Sequence, residues 1–262
     1  MTGAISYSPS VKVPALEFNR LAGYPSHQFP EGHLAEKMAD AQEWYTQHGR
    51  PWVHGHHLRL CETTETEVHL ESGHTFCSPF LASRFRKTGA HAIYAVAVSA
   101  GAEVSERITA LWREDCPDEA YLLDTFASAV VEQLTHEVRA RLCEQVDPAG
   151  MGVLPHHSPG YDGWGLCDQT VLFEMLAGGT PAVRGMDHAH DNTQMPLTGP
   201  LELFPAGMLK PKHSLLGVYG LTRRLDLIQN TELNPCVRCR HATCTYRRRV
   251  FDSHGEGHAV AS

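Results

Sequence analysis

The run His91-Ala92-Ile93-Tyr94-Ala95-Val96-Ala97-Val98-Ser99 is apolar at nearly every position. A strand with one wet face alternates polar and apolar residues; one that does not alternate has both faces out of water. The run is therefore expected to be a strand buried on both sides, ended by Gly101. A second constraint is the stretch Pro117 to Gln145. Here Leu122, Phe126, Val130, Leu134, Val138 and Leu142 recur every four residues, which predicts the longest helix of the chain, with that stripe facing the core. Pro117 stands in the first turn, where its missing N–H costs nothing. Glu132 falls on the opposite face with Thr125, Ser128 and His136, a face that is either wet or lines a cleft.

Other elements follow in order. Met1 to Val13 reads as an irregular lead-in. Pro14 to Ala22 reads as a short helix stopped by Gly23. His33 to His48 reads as a helix with Leu34, Met38, Ala41 and Tyr45 inward. A strand is expected around Trp52 to Leu60. Glu65–Leu70 and Thr75–Phe80 flank Ser72-Gly73 as a hairpin. Phe80 to Lys87 and Glu103 to Trp112 read as helices. Leu166 to Leu176 is a further short helix, with Leu166, Thr170, Phe173 and Leu176 near one face. Residues 178–200 have no period and read as a long loop. Leu201 to Leu203 opens an extended piece, and Leu215 to Leu221 is a strand. Gly217 and Gly220 within it imply the close approach of a ligand or another backbone.

The chain has 262 residues, 42% hydrophobic, with 16 prolines. That suffices for one large domain or two small ones, and excludes a disordered chain. Residues 1–250 are expected to form a single domain and 251–262 a disordered tail. No run approaches about 18 apolar residues, so no membrane span is expected. Met1 to Ser10 lacks the basic start and apolar core of a secretory signal, which points to the cytoplasm. A net charge of -8 excludes a general nucleic-acid binder.

One stretch stands out chemically: His156-His157-Ser158-Pro159-Gly160-Tyr161-Asp162-Gly163-Trp164. Pro fixes φ and Gly tolerates positive φ, so together they force a turn that few residue types make. Such a turn can leave Tyr161 projecting, and a glycine-lined turn lets backbone come close to a ligand. No catalytic triad, phosphate loop or dinucleotide fingerprint is present. Chemistry carried by a bound ligand fits that absence.

Eight cysteines in a chain without an export signal read as thiols or metal ligands. Cys236, Cys239 and Cys244 are clustered among Arg238, Arg240 and Arg247, whose charge favours thiolates. This is a candidate site for zinc or an iron–sulfur cluster, with Cys167, His241 and His254 as candidates for the fourth ligand. His54 and His56 would share one face of a strand, a pair more often structural than metal-binding.

Taken together, these stretches resemble the activation domain of cobalamin-dependent methionine synthase, and especially its short stand-alone bacterial relatives. The likeness runs from Glu17 to Arg247. It rests on Glu17-Phe18-Asn19-Arg20-Leu21-Ala22-Gly23-Tyr24; on Ala95 to Gly101; on the long helix with Asp124, Ser128 and Glu132; on Ser158-Pro159-Gly160-Tyr161; on Gly207-Met208-Leu209, Pro211 and Ser214 to Gly217; and on the three-cysteine tail.

The resemblance implies an α+β fold, a twisted antiparallel sheet flanked by helices. It implies binding of S-adenosylmethionine (AdoMet) and reductive methylation of a corrinoid held by a partner methyltransferase or corrinoid protein. An electron donor such as flavodoxin or ferredoxin would reduce the cobalt. Pro159, Gly160 and Tyr161 would line the AdoMet pocket, and Glu132 would sit near the ammonium or sulfonium. The family has an arginine in the place of His156, where it pairs with the AdoMet carboxylate. Neutral imidazole makes no forked ion pair, so affinity here is expected to be lower or pH-dependent. His157 and Trp164 are the candidates to compensate. The other readings are an AdoMet-dependent methyltransferase acting on a small molecule, and a zinc or iron–sulfur binding module.

Overall fold

A computed structural model of the chain describes residues 4–24, 28–177 and 200–229. The elements are β1 (Ala4–Tyr7), α1 (Ala15–Leu21), α2 (His33–His48), β2 (Trp52–Thr63), β3 (Glu67–Leu70), β4 (Thr75–Cys77), α3 (Pro79–Thr88), β5 (Ala90–Ser99), α4 (Ala102–Arg113), α5 (Pro117–Val146), β6 (Gly152–Val153), α6 (Asp168–Leu176), β7 (Glu202–Phe204), β8 (Met208–Lys210), β9 (Ser214–Thr222) and α7 (Leu225–Gln229).

Strands form a seven-stranded antiparallel sheet in the order β4-β3-β2-β5-β9-β6, with β1 also paired to β2. A small hairpin of β7 and β8 stands apart from it. β5 lies between β2 and β9, and its side chains feed two cores. Ala92, Tyr94, Val96 and Val98 pack with residues of α1, α2, α4 and α5. Ile93, Ala95 and Ala97 pack with residues of α3, α6 and the β3–β4 hairpin. Cover on both faces is why this strand shows no polar alternation.

The six-residue stripe of α5 is buried throughout. Polar ties join the helical layer to the sheet region. Tyr45 donates to the Ala100 carbonyl and Tyr219 to the Thr135 carbonyl, each at 2.7 Å. Asp124 on α5 accepts from Lys212 Nζ at 2.6 Å and lies 3.2 Å from His213 Nε2. His213 first and then Lys212 hold its carboxyl down to about 2 against the opposing effect of burial. This contact secures the segment that leads into β9. No helix among the described residues is long and apolar enough to cross a membrane.

Two local expectations are corrected. The lead-in is not irregular throughout, because Ala4–Tyr7 pairs with His56 to Val53 of β2. Four residues carry little pattern of their own, and the open edge of β2 supplies their hydrogen-bond partners. Leu166 precedes α6 rather than starting it, and both Leu166 and Thr170 are exposed. The buried face of α6 is Leu172, Phe173, Met175 and Leu176. The 178–200 loop except Pro200, the cluster Cys236, Cys239 and Cys244, and the tail lie outside the described residues.

Candidate functional site

The Pro-Gly turn is built on the edge of the sheet. Beyond β6 the chain continues along β9: Leu154 donates to the Gly220 carbonyl at 2.8 Å, and His157 and Val218 exchange two bonds of 2.9 Å. At Ser158 it leaves the strand. Tyr161 N–H bonds the Ser158 carbonyl, Trp164 N–H the Tyr161 carbonyl and Gly160 N–H the Trp164 carbonyl. Gly160 (φ 89°) takes a left-handed conformation, as a Pro-Gly turn requires, and Gly163 (φ 80°) takes one as well. Gly217 proves to be a packing residue. A Cβ there would lie 2.8 Å from Ser158 Oγ and 3.1 Å from the His157 carbonyl oxygen. The backbone that its bareness admits is the turn itself.

Beneath the turn lies an aromatic and polar foundation. Trp164 is buried and donates from Nε1 to Asp168 Oδ2 at 2.8 Å; the Cys77 N–H donates to the same oxygen at 2.6 Å. Ser78 caps α3 by accepting from Leu81 N–H at 3.1 Å, and donates its hydroxyl to the Gly163 carbonyl at 2.7 Å. His157 stacks against Phe80 (ring centroids 4.5 Å apart) and parallel to Trp164 (6.0 Å), and donates from Nε2 to the Asp162 carbonyl at 3.2 Å. Burial, followed by the charge of Arg84, pushes its pKa down to about 4, so its imidazole is neutral at pH 7. His157 and Trp164 both hold the turn from beneath.

The anticipated residues fall as follows. Pro159 is buried and Gly160 exposed. Tyr161 is half-buried, edge-on to His156 (5.8 Å) and His157 (5.6 Å), with its hydroxyl 3.5 Å from His156 Nε2. Glu132, also half-buried, comes from α5. Tyr219 connects the two parts. Its ring lies 5.8 Å from that of His156, its hydroxyl reaches the Thr135 carbonyl, and it is fully buried. Burial first, then Tyr161, and more weakly Glu132, raise its phenol well above the usual range. Tyr219 is thus the common neighbour of the turn and of the Glu132 region. Sequence pattern does not single out Tyr219, Asp168, Ser78 or Phe80 as parts of the site. Only Ser78-Pro79 carries a readable signal, the pairing of a capping residue with a first-turn proline.

His54 and His56 do share a face, and their Nε2 atoms lie 2.7 Å apart, with Ser6 Oγ on His54 Nδ1 at 2.5 Å. They bond to each other. Among the described residues no group of three or more His, Cys, Asp or Glu side chains could hold a metal ion. Cys167 is an exposed thiol. A shallow surface depression of about 510 Å³, bordered by Trp44, Arg50 and Glu103, shares no lining residue with the turn.

No protein-family model and no curated protein sequence matches the chain. Among solved structures, it is similar to one described as the crystal structure of the MetH reactivation domain bound to AdoHcy. The identity is 12% and the TM-score 0.56, over 84% of this chain and 78% of that one. The expected α+β architecture is therefore the one observed: this chain has a fold like that of the MetH reactivation domain.

Proposed function

We propose that this protein binds AdoMet at the Ser158–Tyr161 turn and supports reductive methylation of a corrinoid carried by a partner methyltransferase or corrinoid protein. The observation that carries the reading is the convergence on Tyr219 of a rigid Pro-Gly turn bearing Tyr161 and of the α5 segment bearing Glu132. The solved domain of similar fold is described as bound to AdoHcy, the demethylated form of the same ligand.

The residues present fit the cationic part of AdoMet. A sulfonium is attracted to an aromatic face and to a carboxylate. Tyr161 offers the first and Glu132 the second. When bound, AdoMet supplies an electrophilic methyl group, and a reduced corrinoid on the partner is a nucleophile strong enough to take it. The work left to the protein is alignment, since a positioned pair reacts as though at very high concentration. Pro159 and Gly160 hold the Tyr161 ring through backbone geometry, and His157, Trp164 and Asp168 stiffen the turn from below. No acid–base pair is required, in keeping with a sequence that carries no catalytic-triad signature. The electron for cobalt comes from a separate donor of the flavodoxin or ferredoxin type, and we place the protein in the cytoplasm. Cys236, Cys239 and Cys244 are proposed to hold zinc or an iron–sulfur cluster.

The test is calorimetric titration with AdoMet, followed by methylation of a Co(I) corrinoid by AdoMet with and without the protein. Binding together with faster methylation supports the proposal. Binding without acceleration returns the small-molecule methyltransferase reading, and no binding removes both. His156→Arg is expected to tighten AdoMet by about tenfold, the size of one charge-assisted hydrogen bond. Weaker binding in that variant would mean a pocket arranged differently from the one proposed. Cys239→Ser is expected to lower the metal-to-protein ratio measured by elemental analysis; an unchanged ratio removes the metal proposal.

A further inference from the structure

Successive side chains of a strand alternate, so Trp52, His54 and His56 share one face of β2. It is the face on which Trp52 shares a core with Leu172 and Phe173 of α6. The Nε2 atoms of His54 and His56 converge to 2.7 Å. Opposite them on β5 stand Ala97 and Ala95, both fully buried, whose methyl groups leave room for the two rings. His54 is 5% exposed. Ser6 of β1, its register partner, sets Oγ on His54 Nδ1 at 2.5 Å, and the Leu176 carbonyl accepts from the same ring. His56 is only half-buried, which leaves the pair a route to solvent. Trp52 Nε1 is buried with no acceptor, an unmet donor on the same face.

A hydrogen bond between two imidazole Nε2 atoms uses one proton and one lone pair. Both rings are neutral at pH 7. Burial lowers each of them, and for His54 the charge of His56 adds to it and brings the ring to about 4. Two neutral imidazoles aimed at one point are the beginning of a chelate. Bonds of about 2.0–2.1 Å to one ion, at a right angle, set the nitrogens about 3 Å apart. The pair reaches that spacing by opening roughly 0.3 Å, within reach of small ring rotations. When the ion enters, the shared proton moves to the Nδ1 of the ring that carried it, so no proton leaves the protein. For His54, Ser6 Oγ is in place to accept from that Nδ1–H, as the outer partner of a metal-bound histidine does.

We propose that His54 and His56 chelate a divalent cation of the zinc or nickel class between their Nε2 atoms, with Ser6 orienting His54 and water completing the coordination. Imidazole suits these ions, whereas Mg²⁺ and Ca²⁺ take oxygen ligands. The site is a two-residue chelate, in keeping with the absence of any larger ligand group among the described residues. Ser6 belongs to β1, so the ion fastens the first strand to the sheet. The site does not depend on the function proposed above.

The experiment is calorimetric titration of the full chain with Ni²⁺, which thiols do not reduce, repeated on variants. His56→Ala should lose one equivalent of Ni²⁺. Ser6→Ala should keep that equivalent and bind it about tenfold more weakly, the effect of removing the outer partner of a metal-bound histidine. Any metal held by Cys236, Cys239 and Cys244 is common to all these proteins and cancels in the comparison. His56→Gln keeps a hydrogen-bonding side chain and stands in if His56→Ala does not fold. In the wild-type protein, paramagnetic Ni²⁺ should broaden the amide NMR signals of Gly55 and of its register partners Ile5 and Val96. Equal Ni²⁺ stoichiometry in the wild type and the His56 variants, or Gly55 and Val96 signals that stay sharp at saturation, overturns the inference.

Discussion

Asp168→Ala is expected to destabilise the protein by about 2–6 kcal/mol, from two donors losing their acceptor at about 1–3 kcal/mol each. One carboxylate oxygen accepts both the Trp164 indole N–H (2.8 Å) and the Cys77 backbone N–H (2.6 Å), and Asp168 is 1% exposed. Water cannot replace the lost acceptor without disturbing the packing around Trp164, which sits edge-on to Phe76. Asp168→Asn retains a carbonyl oxygen and should lose less. Urea unfolding followed by Trp fluorescence measures the difference. A loss below about 1 kcal/mol for the alanine variant would show that these two bonds contribute no more than a solvated pair. AdoMet affinity should fall in the same variant, because Trp164 and His157 are the floor of the turn.

Tyr161→Ala should weaken AdoMet by about 5–30-fold with little change in stability. A cation against an aromatic face contributes about 1–2 kcal/mol when partly desolvated. The turn itself is held by backbone bonds of Ser158, Gly160, Tyr161 and Trp164, none of which needs the phenol ring. Calorimetry on the variant, paired with an unfolding curve, separates the two effects. Undiminished affinity in a folded variant would take Tyr161 out of the site. A large drop in stability would instead make it part of the foundation that His157 and Trp164 already form.

Part of the architecture is legible in the order of the residues. The α5 stripe can be placed from Leu122 to Leu142 because a four-residue apolar repeat has one low-energy solution, a helix lying on a core. The burial of β5 on both faces follows from its lack of alternation. The left-handed Gly160 follows from the steric rule for Pro-Gly. These are local consequences of chain geometry, and each needs only a few consecutive residues.

Other features cannot be read in that way. β1 is a strand because β2 has an open edge 48 residues later in the chain, so its identity belongs to its partner. Trp164 and His157 look like ligand-facing residues in a polar, glycine-rich stretch. They are buried only because α3 brings Phe80 and α6 brings Asp168 against them. The chain's own pattern dictates the helices, the doubly buried strand and the shape of the turn, because periodicity and backbone sterics act over short range. Tertiary packing selects which side chains support the turn, because burial depends on neighbours that the chain order does not reveal.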